Sequence, residues 1–131
     1  MNQHTPDVNR SDVERVIRRD YPNEDFDEIS RMLEAYGRKE YHREVDRVHL
    51  DILKLADGKK EKIEWQVEEA CCDFRDVVLC AEYPNYGKKM FRIDKLPEEE
   101  KEKLIIVDRD QYEAWLHKIE PKSEPGRGGN G

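Results

Sequence analysis

The chain has 131 residues, of which 36% are hydrophobic and 42% are charged, and its 31 acidic and 24 basic side chains give a formal net charge of −7. A chain of this length accommodates one hydrophobic core, and so high a charged fraction predicts that this core is small. A negative net charge repels a phosphate backbone, so the composition disfavours non-specific nucleic-acid binding.

The same sequence predicts a cytoplasmic protein. It has no apolar window of the length of a membrane span, and its first residues lack the apolar stretch of a signal peptide. Three cysteines, two of them adjacent, do not suit a secreted disulfide framework, which needs even pairing. We therefore expect reduced thiols.

The composition along the chain predicts a single helical domain over residues 10–119. Residues 1–9 show no periodicity, and residues 120–131 combine Pro, Gly and Ser, so both ends are predicted to be disordered. The segment between them predicts an all-α fold, a small bundle of five or six helices.

The first two helices are marked by caps. Ser11, with Glu14 three residues later, forms the pattern of a capping box, and Pro22 ends this helix. Asn23 and Gly37 suit the start and end of a second helix. The residues predicted to be buried are Val13, Val16 and Ile17 in the first helix, and Phe26, Ile29, Leu33 and Tyr36 in the second.

Residues 39–58 and 60–83 predict the two longest apolar stripes. The third helix has Tyr41, Val45, Val48, Ile52 and Leu55 at alternating steps of four and three. The fourth has one stripe made of Ile63, Val67, Ala70, Phe74, Val77 and Ala81, and a second on the opposite side made of Trp65, Cys72, Leu79 and Tyr83. We expect the fourth helix to be central and packed on both sides, unless its second face awaits a partner.

The last third of the chain is less regular. Residues 84–97 read as a loop, Pro97 suits a helix start, and Asp108 or Asp110 suits the cap of a further helix. That last helix is expected to fold back over the second stripe of the fourth helix.

The cysteines are interpreted as packing residues. Cys72 and Cys80 are eight residues apart on one helix, too far to form a disulfide, and an adjacent pair suits neither a disulfide nor a zinc site. Free cysteine is frequently a small buried apolar side chain, so Cys71 is predicted to be inert.

A metal site is the sharper alternative. His42, Asp46 and His49 stand at positions i, i+4 and i+7 of the predicted third helix, which would put two imidazoles and a carboxylate on one edge. These ligand types bind zinc, or iron or manganese if another helix adds ligands. In so acidic a chain such neighbours also arise by chance, and the competing interpretation is that His49 packs at the core margin.

The predicted loop carries a candidate protein-binding patch. Tyr86, Met90, Phe91 and Arg92 combine aromatic and apolar side chains with basic charge.

The segment from Val48 to Gly58, followed by "DFRDVVLCAEYP", resembles short bacterial proteins of unassigned function. In these proteins a helix with a similar Leu-x-x-Gly ending leads to a helix that ends in Ala-Glu-Tyr-Pro. The resemblance covers about residues 45–84 and implies a bacterial cytosolic origin, without any catalytic residue.

Three classes of function are compatible with these observations. We prefer a non-catalytic interaction or regulatory module that binds a protein partner, because no motif supplies a nucleophile, a base or a cofactor cradle. The alternatives are a metal-binding protein or metalloenzyme that uses the histidine edge, and an acidic protein that neutralises a toxin or mimics nucleic acid. A homodimer is left open, and no cofactor is expected.

Overall fold

The computed structural model describes residues 6–89 and 95–119, and within these ranges it contains six α-helices, one 3-10 turn and no strand. The predicted all-α bundle is confirmed. The helices are α1 (Arg10–Asp20), α2 (Phe26–Glu34), α3 (Val45–Ala56), α4 (Lys60–Glu82), α5 (Pro84–Lys88) and α6 (Glu98–Leu116). Residues 1–5 and all of the predicted C-terminal tail lie outside the described residues. None of the described helices is long and apolar enough to cross a membrane.

The N-terminus of α1 is capped by Asn9 rather than by Ser11. The side chain of Asn9 accepts a hydrogen bond from the amide of Asp12 at 3.2 Å, and the Asp12 carboxylate accepts one from the amide of Asn9 at 3.0 Å. This is a capping box two residues earlier than predicted, so Ser11 already lies inside the helix. The buried residues of α1 are those predicted: Val13, Val16 and Ile17.

Helix α3 begins at Val45, six residues later than the stripe predicted, because the preceding residue, Glu44, has a left-handed backbone with φ 52°. Tyr41 is therefore not part of the helix, and it is 69% exposed. All six residues from 48 to 53 are buried, so α3 is covered on every side. Helix α3 is thus the most deeply buried helix, whereas α4 packs against α2, α3, α5 and α6 as a central helix but is not covered on both sides.

Helix α4 is interrupted at Asp73, whose extended backbone (φ −160°, ψ 99°) separates two helical halves. The carboxylate of Asp73 accepts a hydrogen bond from the amide of Arg75 at 3.1 Å, the role of an N-cap for the second half. The main stripe continues across the break, since Ile63, Val67 and Ala70 before it and Val77 and Ala81 after it are all buried. The second predicted stripe is not packed at Trp65, which is 63% exposed.

Helix α6 runs without interruption from Glu98 to Leu116, so the further helix start predicted at Asp108 or Asp110 is wrong. Its C-terminal end docks on α1, where Arg19 donates to the Trp115 carbonyl at 2.7 Å and Arg15 donates to the Leu116 carbonyl at 2.8 Å. These guanidinium groups satisfy the carbonyls left open at a helix end and suit the negative end of its dipole. The end of α6 thus meets α1, while the rest of the helix packs against α5 and α4, and Trp65 remains uncovered.

Candidate interaction surface

The side of α4 opposite the core presents a tryptophan among glutamates to solvent. Glu61, Glu68 and Glu69 lie four residues before Trp65 and three and four residues after it, the positions next to a side chain on a helix surface. Glu64 directly precedes Trp65 in the sequence. All five side chains are exposed. We call these five residues the Trp65 face.

The Trp65 face is strongly negative. Its four glutamates make no ion pair within residues 6–89 and 95–119, whereas other acidic residues of the chain, such as Glu28 with Lys60, are paired. Four carboxylates along little more than two turns produce a local negative potential around the indole, which Arg31, in the same groove as Glu64 and Glu68, offsets only in part. A cationic partner would offset this potential further.

A shallow groove lies on each side of the ridge formed by α4. The groove toward α2 has a volume of about 450 Å³ and is lined by Met32 and Val67 between charged side chains. The groove toward α3 has a volume of about 280 Å³ and is lined by Leu55 and Val77. A ridge flanked by grooves is the surface on which another helix packs.

The predicted metal-binding edge is not a helical edge. His42 lies before α3, where its ring stacks on Tyr36 with 4.3 Å between ring centroids. Its Nδ1 accepts a hydrogen bond from the amide of Gly37 at 2.7 Å. The spacing of i, i+4 and i+7 therefore does not bring His42 to the same edge as Asp46 and His49.

A guanidinium group occupies the space between the other two predicted ligands. Nη2 of Arg10 donates to His49 Nδ1 at 2.9 Å and lies 2.7 Å from a carboxylate oxygen of Asp46. The Nε2–H of His49 donates to the carbonyl oxygen of Tyr36 at 2.7 Å, so both ring nitrogens are engaged. Burial, together with the charge of Arg10, lowers the pKa of His49 and keeps its imidazole neutral.

This geometry corrects the basis of the metal prediction. The described residues contain no group of three or more His, Cys, Asp or Glu side chains arranged to hold a metal ion. His49 is 2% exposed and behaves as a core histidine with both nitrogens satisfied. The competing interpretation, His49 packed at the core, fits the structure.

The three cysteines are free and exposed, so the prediction that they are buried packing residues is wrong. The thiol of Cys71 makes a long contact of 3.8 Å with the carbonyl oxygen of Ala35. Partial desolvation, with the neighbouring Cys72 and Glu68, raises the pKa of the Cys71 thiol. The low reactivity expected of Cys71 stays a prediction, since the buried packing on which it was based is absent.

The predicted protein-binding patch is described only in part. Met90, Phe91 and Arg92 lie outside the described residues. Tyr86 belongs to the short helix α5, and its ring makes an edge contact with Tyr83.

Asp108 serves as a cap for α5. Its carboxylate is fully buried, and it accepts hydrogen bonds from the amides of Asn85 and Tyr86, both at 2.9 Å, and from the Asn85 side chain at 2.8 Å. Because Pro84 has no amide hydrogen, these are the first two backbone donors of α5. Asp108 is thus a cap, but of α5 and not of the last helix, for which it was predicted.

A buried polar cluster, which no sequence motif predicted, joins α3, α4 and α6. Glu82 accepts two hydrogen bonds from Arg47, at 2.6 and 2.8 Å, and Asp51 is completely buried beside them. The hydroxyl of Tyr112 is also buried, and it lies near the Asp51 carboxyl. The available signal was a single aspartate inside the mostly apolar run "VHLDILKL".

The fold and the surface define the class of protein, an all-α helical domain with an acidic face centred on an exposed tryptophan. Comparison of the chain with protein-family models, curated proteins and solved structures gives no match.

Proposed function

We propose that the protein is a non-catalytic interaction module, and that the Trp65 face docks a basic amphipathic helix of a protein partner. The observation that carries the proposal is the 63% exposure of Trp65 beside four glutamates that form no ion pair with any residue the structure describes. We include a bacterial origin and a cytoplasmic location in the same proposal. The sequence resemblance supports the bacterial origin, and the unpaired thiols support the cytoplasmic location.

The tryptophan supplies the apolar anchor. A tryptophan buries roughly 150–250 Å² when it is covered, and this residue type dominates the binding energy of many interfaces. Left in water, the same surface contributes nothing to stability. A partner with a pocket between aliphatic side chains would gain this energy without rearranging the domain.

The glutamates determine the chemistry of the partner. Lys or Arg side chains on a helix, spaced three and four residues apart, can meet the carboxylates on both sides of the indole. The flanking grooves toward α2 and α3 have apolar floors, which suit Leu or Ile side chains on the same partner helix. Basic charge beside aliphatic residues describes a cationic amphipathic helix.

The test uses synthetic peptides and intrinsic tryptophan fluorescence, in which binding at this face should change the signal of the exposed Trp65 and not that of the buried Trp115. A helical peptide made of Leu and Lys is titrated against the protein, beside a Leu and Glu peptide of the same pattern. We expect only the basic peptide to bind, and Trp65→Ala to weaken its binding about tenfold or more, the effect of losing about 1.4 kcal/mol. For this variant, binding is followed by anisotropy of a labelled peptide.

Matched controls separate docking from non-specific charge attraction. The double variant Glu68→Gln with Glu69→Gln should weaken binding, while Glu99→Gln with Glu102→Gln makes the same charge change on α6 and should not. An exposed aliphatic side chain away from the face, Ile106, provides the apolar control as Ile106→Ala. Equal effects of the two glutamine pairs, together with unaltered binding by Trp65→Ala, would favour an acidic mimic that binds through net charge alone.

A further inference from the structure

The outward side of α6 exposes two adjacent aliphatic side chains. Ile106 is 43% exposed and Val107 is 52% exposed, whereas Tyr112 and Trp115 of the same helix are buried. The exposed part of the aliphatic pair gains nothing from the folding of a single chain, because it stays in water. Burying it requires a partner that reaches the outward side of α6.

Two charged side chains flank this aliphatic pair on the same side of the helix. Lys103 lies one turn before the pair and Asp110 one turn after it, each about 5 Å from the midpoint of the pair along the axis. At about 100° per residue, both lie between the two aliphatic side chains around the helix. Both are largely exposed, and their closest ionic contacts are long, 3.7 Å to Glu100 and 4.0 Å to Arg109. Such contacts leave both charges available to a partner.

This surface is electrically balanced although the chain is strongly acidic. The exposed charged residues between positions 102 and 110 are two acidic and two basic ones, Glu102, Lys103, Arg109 and Asp110, in a chain with a net charge of −7. Self-association brings two copies of one surface together, so a surface of strongly negative charge repels its own copy. The Trp65 face is a surface of that kind, and the outward side of α6 is not.

The order of the charges makes the outward side of α6 complementary to itself in one orientation. A two-fold axis at the midpoint of the aliphatic pair relates two antiparallel α6 helices and places the pair of one copy against that of the other. Lys103 of each copy then faces Asp110 of the other, so two pairs of opposite charge flank the apolar centre. Parallel helices would instead place lysine opposite lysine and aspartate opposite aspartate.

From this arrangement we propose that the protein forms a homodimer in which the outward sides of two antiparallel α6 helices cover each other. A contact between one helix and its copy buries less than the roughly 1,200 Å² of a standard interface, so the dimer is weak and reversible, with a Kd of about 10–100 µM. At the low micromolar concentrations of unfolding experiments the chain is a monomer. The proposal is independent of the function proposed for the Trp65 face.

Sedimentation velocity of the full-length protein at low salt, from low micromolar concentrations to about 500 µM, measures this dimer. We expect the mass to rise from that of a monomer to that of a dimer. The double variant Ile106→Gln with Val107→Gln should abolish the rise. Tyr41→Gln removes an exposed aromatic side chain outside α6 and should leave the rise unchanged. Circular dichroism checks that each variant keeps its helix content.

Charge reversals test the antiparallel orientation. Lys103→Asp and Asp110→Lys each turn two attractive pairs of the dimer into two repulsive ones and should weaken it about tenfold or more. The double variant Lys103→Asp with Asp110→Lys restores both pairs in the reverse sense and should dimerise as the wild type does. An equimolar mixture of the two single variants should form a heterodimer for the same reason.

Three outcomes would overturn the proposal. A monomer mass at the highest concentration would remove the interface altogether. A dimer that survives the double glutamine variant, or that is lost in Trp65→Gln, would place the contact on another part of the chain. Weakening by both single reversals without recovery in the double reversal would exclude the antiparallel arrangement.

Discussion

The carboxyl group of Asp51 is fully buried beside that of Glu82, whose two oxygens already accept hydrogen bonds from Arg47. Burial, followed by the negative charge of Glu82, raises the pKa of Asp51 well above its ordinary value. Two buried carboxylates with one guanidinium between them leave one charge uncompensated, and a proton on Asp51 removes it. Neither oxygen of the Asp51 carboxyl has a hydrogen-bond partner among the described residues, which adds to the cost of ionising it.

We predict that this proton makes the free energy of unfolding depend on pH. The protonated Asp51 contributes its full stabilisation of the folded state below the pKa of the unfolded chain, about 3.8. This contribution is lost as the pH rises from that value toward the raised pKa of the folded state. Asp51→Asn keeps the shape and a hydrogen-bond donor but does not titrate. Between the two pKa values, the free energy of unfolding of Asp51→Asn minus that of the wild type should increase by about 1.4 kcal/mol per pH unit.

Chemical unfolding from pH 4.5 to pH 8 measures this difference. Asp110→Asn, on the exposed side of α6, removes the same charge and is the control, for which we expect a constant difference across the range. A constant difference for Asp51→Asn as well would mean that Asp51 is ionised in the folded protein throughout.

We predict that His49 makes the free energy of unfolding fall as the pH is lowered below 6.5, the opposite direction to the effect of Asp51. Its folded-state pKa is lowered, mainly by burial, so its stabilisation is complete above the unfolded-state value of 6.5 and is lost as pH falls toward the folded-state value. In the wild type this loss opposes the gain from Asp51. We therefore expect Asp51→Asn to lose stability between pH 6.5 and pH 5, with a slope of up to about 1.4 kcal/mol per pH unit.

A double variant isolates the imidazole. Adding His49→Gln to Asp51→Asn removes the titrating ring while keeping one donor and one acceptor, so the slope in this interval should disappear. The matched control adds His117→Gln instead, an exposed histidine paired with Glu113 at 3.1 Å, and should retain the slope. If the free energy of unfolding still falls between pH 6.5 and pH 5 without His49, another titrating group causes this pH dependence.

Removal of the Asp108 carboxylate should destabilise α5. Asp108→Ala leaves the buried amides of Asn85 and Tyr86 without acceptors, which costs about 1–3 kcal/mol. Hydrogen exchange at these two amides should accelerate more than exchange in α3, because α3 does not depend on this cap. Asp110→Ala, also on α6 but exposed, should leave both rates unchanged.

Periodicity predicted the buried side chains of α1 and the main stripe of α4, because within one helix the angle of 100° per residue fixes which side chains share a side. It failed for Tyr41 and His42, because the start of α3 depends on the left-handed backbone of Glu44. The stacking of His42 on Tyr36 is a contact between segments that no local pattern contains. The metal prediction depended on that helix start.

The two apolar sides of α4 were recognised, but the covering of the second side depends on where α6 docks. Arg15 and Arg19 hold the end of α6 against α1, and Asp108 holds its middle against α5. None of these contacts spans fewer than about twenty residues of sequence, so only the assembled fold shows that Trp65 stays uncovered.

The interruption at Asp73 also bears on how α4 can change in evolution. One residue inserted within a continuous helix such as α3 rotates everything after it by about 100° and takes its apolar side chains away from the core. An insertion beside Asp73 lengthens a segment whose backbone is already extended, so the second half of α4 can keep its orientation against the core. The break therefore makes the two halves of α4 separately adjustable in length, and the first half, with Trp65 and both adjacent cysteines, can vary without moving the buried cluster at Glu82.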